Sequence, residues 1–407
     1  MSKDKSRIEK LIEELCPEGV EFKELAEIFS MKNGYTPSKS KPEYWKDGAI
    51  PWFRMEDIRA NGRILNDSIQ HIAEIAVKGG KLFPAHSILV ATSATIGEHA
   101  LITVKHLSNQ RFTSLSLKSE YVDQLDMKFA HYYCYVLDEW CRNNVTTSSF
   151  ASVDMNGFRK FKIPIPPLEV QEEIVKILDN FTELEAELEA ELEARKKQYE
   201  YYRSRLIGFD KYLRWVTLSE LGQFKYGFTE KAKDSGSARF IRITDIGDNG
   251  HIRDQDIKYV DITDRNKDYL LTENDLLMAR TGATFGKTLL VKAEQPSIYA
   301  SFLIKIDLDN SKILNQFYWH FTKTREYWNQ VNNLASAGGQ PQFNANALKK
   351  IRVPIPEISE QKDIVAILDK FDALVNDITI GLPAELKARR QQYEYYRDKL
   401  LTFKEYV

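Results

Sequence analysis

The sequence predicts a mixed α/β chain. Two globular domains lie in tandem, each followed by a long helix, and the two helices pack as an antiparallel coiled coil with pseudo-two-fold symmetry. Three observations predict this. The hexapeptide QYEYYR occurs at 198–203 and again at 392–397, so the chain is an internal repeat. Around each copy, apolar residues recur every three or four positions, the period of a helix. Ahead of each helix, short Val/Ile/Phe/Thr runs alternate with turn residues, the pattern of short strands.

The repeat is anchored by PIPPLEVQEEIVKILDNF (164–181) and PIPEISEQKDIVAILDKF (354–371), at an offset of 190. Further on, LEARKKQYEYYRSRLIGF (192–209) pairs with LKARRQQYEYYRDKLLTF (386–403), at an offset of 194. The second copy has gained four residues between these blocks.

Both blocks read as helices. In the first, Ile174, Ile177, Leu178, Phe181, Leu184, Leu188, Leu192, Tyr199, Tyr202 and Leu206 form one stripe. TELEAELEAELEA (182–194) alternates by two, yet its leucines recur every four, and Glu, Leu and Ala are strong helix formers. Pro167 and Pro356 suit helix starts, and Gly208 suits a helix end. Each helix should run about 40 residues, or roughly 60 Å. Gly381 and Pro383 should bend the second; its apolar register continues past them, which predicts one kinked element. Helices this long with an apolar stripe need a partner, and each supplies the other. The tyrosines of the hexapeptides, Tyr199, Tyr202, Tyr393 and Tyr396, then have two readings: seam packing, or a docking patch for another subunit.

The regions before the helices match more faintly. FKELAEIFSMKNGYT (22–36) resembles WVTLSELGQFKYGFT (215–229), and WFRMEDI (52–58) resembles FIRITDI (240–246). HSILVATSATIGEHALI (86–102) resembles NDLLMARTGATFGKTLL (274–290), and RKFKIPIP (159–166) resembles KKIRVPIP (349–356). The predicted organisation is a globular part at 1–160 with an N-terminal helix, a helical spacer at 161–209, a second globular part at 210–352, and a distal helical spacer at 353–407. The framework segments agree while the loops differ. One architecture reading two ligands would look like this, as would an old duplication.

Composition narrows the function. The chain has 407 residues, long enough for two or more cores. It contains no run of 18 apolar residues, and MSKDKSRIEKLIEEL lacks the apolar core of a signal peptide, so the expected location is cytoplasmic. Cys16, Cys134 and Cys141 form no CxxC pair and have no histidine pair at ligand spacing, which predicts free thiols and no metal. Net charge is −2, but residues 182–194 carry six glutamates and no base, whereas residues 31–160 carry 16 Lys+Arg against 13 Asp+Glu. The whole-chain value therefore hides local basic surface.

RTGATFGKTLL (280–290) invites a nucleotide-binding reading. A phosphate loop needs G-x-x-x-x-G-K-[ST] leading into a helix. Gly282 and Gly286 have three residues between them, TLLVKAE reads as a strand, and Glu98 stands where Lys287 does. The better reading is a tight turn between strands, with Gly97 and Gly286 at unusual dihedrals. Its hydroxyls and bases suit phosphate and base-edge contacts, and they also suit an ordinary turn. No G-x-G-x-x-G after a strand, HExxH or GxSxG is present. No Asn-Pro-Pro-aromatic tetrapeptide, which would hold a flipped adenine, is present either. A recognition and assembly protein is expected, not an enzyme.

PIPPLEVQEEIV and PIPEISEQKDIV at the helix starts, TSATIG and RTGATFG in the domains, and QYEYYR in the helices together give the chain a resemblance. It resembles a specificity subunit of a type I restriction-modification system over essentially its whole length. The resemblance implies that 1–160 and 210–352 are target recognition domains, each reading one half of a split, asymmetric double-stranded DNA sequence. The helices are implied to set the distance between the halves and to bind two modification subunits. Restriction subunits would join these. S-adenosylmethionine, ATP and Mg are implied on the partners, with no cofactor in this chain. A methyltransferase-only or fused restriction system would use a similar subunit; a P-loop NTPase or a bare coiled-coil scaffold explains less. TSATIG departs from the pattern by lacking the glycine present as Gly282.

The candidate DNA contacts lie on predicted loops. They are Thr36, Lys39, Arg54, Thr92, Ser93, Thr95 and Arg111 in the first half. In the second they are Arg242, Arg280, Thr281, Thr284, Lys287, Gln340 and Gln342. Gln340 and Gln342 carry amides able to pair with adenine. Arg54 and Arg242 can equally anchor the fold through Asp57 and Asp245. Glu183–Ala194 is three ELEA units. One unit adds about 6 Å of helix, so its deletion should change the unread spacer by about one or two base pairs.

Overall fold

The computed structural model describes residues 5–146, 151–208, 213–335 and 342–406. The chain divides into two compact units, Met1–Glu185 with Arg389–Val407, and Ala186–Ala388.

The first unit is built on a five-stranded sheet. Its order is Phe29–Asn33, Phe112–Leu117, Ser87–Ala91, His99–Ile102 and Ile64–Leu65, antiparallel except for the last pair. Within SILVA, residues 88–91 are a continuous apolar run because both faces of the strand are covered. Ile88 and Val90 join the core under the helix Met127–Asn143 and the first turns of the long helix. Leu89 and Ala91 face a second core with Trp52, Phe53 and Phe112. That second core lies against a three-stranded sheet, His71–Ile72, Ile50–Phe53 and Leu107–Ser108.

The second unit repeats the plan. Its main sheet runs Gly222–Tyr226, Leu303–Leu308, Leu276–Ala279, Thr288–Leu290, all antiparallel. Leu276 and Met278 face one core, and Leu277 and Ala279 the other. A three-stranded sheet of Tyr259–Val260, Ala238–Ile241 and Ser297–Tyr299 packs beside it. In each unit one short antiparallel pair ties the domain start to the segment that leads into a helix: Glu21–Glu24 with Lys162–Ile165, and Trp215–Thr217 with Arg352–Pro354.

The first long helix is unbroken from Leu168 to Gly208. Val170, Ile174 and Leu178, four apart, are fully buried in the first unit. Each contributes about 1.5–3 kcal/mol by leaving water. Within that unit the start of this helix meets the end of the distal helical segment: Phe181 stacks on Tyr396 at 5.7 Å and lies 6.2 Å from Tyr393. Within the second unit its end meets the start of the distal segment: Phe371 stacks on Tyr202 at 5.4 Å and on Tyr199 at 6.0 Å. Start meets end in both places, so the helices run antiparallel.

The distal segment corrects one expectation. It is not one kinked helix but two, Ile358–Asn376 and Leu382–Leu400. Asp377 ends the first by accepting from the Thr379 and Ile380 N–H groups at 2.7 and 3.3 Å. A Cβ on Gly381 would stand 2.4 Å from the Ala373 carbonyl oxygen, so the break requires glycine. The apolar register continues past DITIG because both helices still need a buried face; periodicity alone does not reveal that the backbone between them has left the helix.

Candidate nucleic-acid interface

In each unit, loops from five places are stitched together at one end of the main sheet, with the same backbone hydrogen bonds. Thr92 N–H donates to the Arg111 carbonyl at 3.0 Å, and Arg280 N–H to the Phe302 carbonyl at 3.1 Å. Val153 N–H donates to the Thr92 carbonyl at 2.9 Å, and Phe343 N–H to the Arg280 carbonyl at 2.8 Å. Gly34 and Gly227 donate to the Phe112 and Leu303 carbonyls, both at 3.0 Å. Asn109 and Ala300 donate to the Phe53 and Ile241 carbonyls at 3.1 and 2.9 Å. Single-residue bridges join Ser93 to Ser152 and Thr281 to Gln342. The glycines are required here: a Cβ on Gly34 or Gly227 would lie 2.2 Å from a carbonyl oxygen of the facing loop.

The tight turn is also shared. Ala94 has φ 66° and Gly97 φ 81°; Gly282 has φ 76° and Gly286 φ 79°. The first turn is one residue shorter and places alanine where the second has glycine, yet adopts the same left-handed backbone. TSATIG therefore keeps the geometry that its missing glycine put in question. The same turn rules out a phosphate cradle at GATFGK. The Phe285, Gly286 and Lys287 N–H groups are spent on the Gly282, Ala279 and Thr284 carbonyls, and Thr288–Leu290 is a strand. Lys287 pairs with Asp248.

On this shared backbone the side chains differ. The first unit presents Asn33, Thr92 and Arg111 where the second presents Tyr226, Arg280 and Phe302. Thr92 is buried, its hydroxyl 3.0 Å from that of Thr113, which donates to Asn33 Oδ1 at 2.9 Å. Arg111 is exposed, and its guanidinium has no partner among the described residues. Thr36 donates to Gln110 Oε1 at 2.6 Å beside it. Lys39 is exposed on the same loop. Ser93 and Thr95 are half-buried in the turn.

The two matching arginines behave differently. Asp57 accepts the Arg54 backbone N–H at 2.6 Å, and Asp245 that of Arg242 at 2.7 Å. Arg242 also sends its guanidinium to Asp245 at 2.9 Å and to Asp256 at 3.4 Å. The Asp245 hydrogen bond comes first among the causes that raise the Arg242 pKa. Arg54 instead lies over the Trp52 ring at 5.7 Å, 3.9 Å from Glu56. Asp245 thus ties down the Arg242 guanidinium, whereas Asp57 holds only the Arg54 backbone. Thr281 and Gln342 sit together through their bridge, and the Thr284 hydroxyl is buried in the turn. Gln340 lies outside the described residues.

The hexapeptide tyrosines divide by exposure. Tyr199 is 3% exposed, with its hydroxyl 3.1 Å from His320 Nδ1 and donating to Asp372 at 3.2 Å. Tyr393 is half-buried under Arg397. Tyr202 and Tyr396 are partly exposed and stacked on Phe371 and Phe181. The outward tyrosines are the ones between them, Tyr201 and Tyr395, 56% and 64% exposed. The exposure of these two, and of Tyr226 and Phe302, was not among the sequence expectations. Helical spacing could have flagged the first pair; the second needs the strand register.

Cys16, Cys134 and Cys141 are buried and unpaired. No helix among the described residues is long and apolar enough to cross a membrane.

Comparison with known proteins agrees with this duplicated plan. The family described as the type I restriction modification DNA specificity domain matches twice, over residues 17–194 and 214–388. The chain is 45% identical to the EcoprrI specificity subunit of Escherichia coli over 385 residues, 88% of this chain and 89% of that one. It is 33% identical to the EcoR124I/EcoR124II specificity subunit of Escherichia coli over 291 residues, 64% and 69% of the two chains. The fold is similar to a type I restriction-modification S subunit from M. genitalium (TM-score 0.51, 16% identity, 94% and 95% coverage). It is also similar to a chain from a structural study of assembly and conformational transition in a type I system (TM-score 0.63, 16% identity, 95% and 98% coverage). With both halves matched, the chain belongs to the family of type I restriction-modification DNA specificity subunits.

Proposed function

We propose that the chain reads a split, asymmetric DNA sequence, one half through residues 1–160 and the other through 210–352, and directs adenine methylation and restriction by partner subunits. The observation that carries this reading is the shared sheet end. Its backbone hydrogen bonds repeat to within 0.2 Å, while the side chains at matching positions differ: exposed Asn33 against Tyr226, buried Thr92 against Arg280, and Arg111 against Phe302. A kept frame with changed side chains at matching positions is what one architecture reading two different half-sites requires. Thr36, Lys39, Arg54, Ser93, Thr95 and Arg111 in the first domain, with Arg280, Thr281, Gln340 and Gln342 in the second, are the proposed DNA-facing set. Thr92, Lys287 and Arg242 hold its frame, and the Thr284 hydroxyl is buried in the turn.

The helical spacers at 161–209 and 353–407 are proposed to dock two modification subunits, through Tyr201 and Tyr395 with Tyr202 and Tyr396 at their rims. The chain supplies recognition and no catalytic group. S-adenosylmethionine, ATP and Mg belong to the partners, and the complex works in the cytoplasm, where its DNA is. Co-expression with the modification subunit, followed by mapping of methylated adenine in host DNA, tests this. The expected result is a two-part motif with unlike halves around an unread spacer. A continuous or palindromic motif, or no methylation from an assembled complex, contradicts it.

A further inference from the structure

Arg280 is held more firmly than a phosphate contact needs. Its N–H donates to the Phe302 carbonyl and its carbonyl accepts from Phe343 N–H. Its Nε donates to the Ser301 carbonyl at 3.1 Å. Its guanidinium carbon lies 5.3 Å from the Tyr226 ring centre and 5.2 Å from that of Phe302. The Tyr226 hydroxyl accepts from Ala345 N–H at 3.1 Å, which pins that ring in turn.

The outer nitrogens, Nη1 and Nη2, have no hydrogen-bond or carboxylate partner among the described residues. This sets Arg280 apart from its neighbours. Arg239 pairs with Asp254, Arg242 with Asp245, and Arg253 with Asp248. Tyr226 and Phe302, 44% and 51% exposed, leave the fork open to solvent.

A planar fork with its stem locked, aromatic rings on its flanks and two free outer donors matches the O6 and N7 acceptors of guanine in the major groove. Locking removes the rotamer entropy that a free arginine would lose on binding. A contact to phosphate gains little from such restriction, because its acceptors lie in many directions.

Resting on the reading of residues 210–352 as a target recognition domain, we infer that Arg280 reads a guanine in the half-site of that domain, with Tyr226 and Phe302 as its clamp. The first domain, with Thr92 at the matching position and its arginine moved to position 111, reads its own half-site by a different set of groups.

The test uses the full complex with modification subunits and maps methylated adenine for Arg280→Ala, Arg280→Lys and Phe302→Leu. Arg280→Ala and Arg280→Lys should lose preference at one G·C pair of one half-site, by about 5- to 150-fold, with the other half unchanged. Lysine keeps the charge and stem but not the fork, so it carries the test even where alanine does not assemble. Phe302→Leu should keep the guanine but weaken the preference by a few fold. An unchanged motif at every position overturns the inference, and so does a uniform weakening that spares every letter, the mark of a phosphate contact. Exchange of residues 210–352 distinguishes the two levels. If no letters follow that exchange, the domain reading itself fails; if they follow it but no guanine depends on Arg280, only this inference does.

Discussion

Gln171 and Gln361 stand 190 positions apart and make the same three hydrogen bonds. Gln171 donates to the Gln124 and Pro166 carbonyls at 2.7 and 2.6 Å and accepts from Asp126 N–H at 2.8 Å. Gln361 donates to the Lys312 and Pro356 carbonyls at 3.0 and 2.9 Å and accepts from Leu314 N–H at 2.9 Å. Both are fully buried. Each joins the first turn of a long helix to the loop before a helix of its domain.

Replacing either with leucine leaves three backbone groups without their side-chain partner, of which the Pro166 or Pro356 carbonyl is buried, and should cost about 1–3 kcal/mol. Thermal unfolding of the two variants measures the loss, and hydrogen exchange should place it in the first unit for Gln171→Leu and the second for Gln361→Leu. A loss below about 0.5 kcal/mol would remove the glutamines from the frame.

The tight turns rank their glycines. A Cβ on Gly97 would lie 2.7 Å from the Asp138 carbonyl oxygen, and on Gly286 2.8 Å from Val331; on Gly282 the nearest atom is 3.5 Å away. Gly282→Ala should therefore cost only the left-handed backbone penalty, about 1–2 kcal/mol. Gly97→Ala and Gly286→Ala should cost more. Ala94→Gly relieves the same penalty against the about 0.5–1 kcal/mol entropic cost of glycine, so melting temperatures should rise slightly. A fall would contradict the φ of 66° at Ala94.

Burial lowers the pKa of three histidines in the first unit, His99, His106 and His131, the second of them to about 4. The His106 hydrogen bond to the Val104 carbonyl opposes the shift without cancelling it. A base with a lowered folded pKa binds fewer protons folded than unfolded, so its contribution is full above pH 6.5 and is lost as pH falls toward 4. For His106 this is about 3 kcal/mol. His106→Leu, packed between Phe53 and Phe83, should flatten the loss between pH 6.5 and 4 and cost about 1 kcal/mol at pH 8. Parallel pH profiles for the two proteins would refute this.

The tyrosines separate fold from assembly. Tyr199→Phe removes a buried hydroxyl from His320 and Asp372 and should cost about 1–2 kcal/mol of stability. Tyr201→Ala and Tyr395→Ala should leave unfolding within about 0.5 kcal/mol but weaken modification-subunit binding by tenfold or more. Thermal unfolding checks the first class and titration calorimetry with the modification subunit the second. Equal binding by the Tyr201 and Tyr395 variants would move the docking surface elsewhere.

Much of the frame was legible because it is written twice. Two copies of PIP…Q…IV…LD…F reveal a helix start and its buried face without any propensity argument, since chance does not repeat that spacing. The break at DITIG was misread because apolar spacing survives a turn that Gly381 and Asp377 make in the backbone. The proposed contact surface was partly legible. Arg280 and Arg111 follow from loop prediction, but their relation does not. It depends on which carbonyl each strand end bonds, and strand register leaves only a weak trace in composition. Thr92 looked like an outward hydroxyl because a turn residue is normally wet; here Thr113 of the next strand covers it.

The most direct test of the central claim is a domain exchange. Residues 1–160 are replaced by those of a relative with a different motif, the complex is assembled with its modification subunits, and methylated adenine is mapped. The structure predicts that one half of the motif changes and the other half keeps every letter. A motif that changes in both halves, or in neither, would contradict independent reading by the two domains.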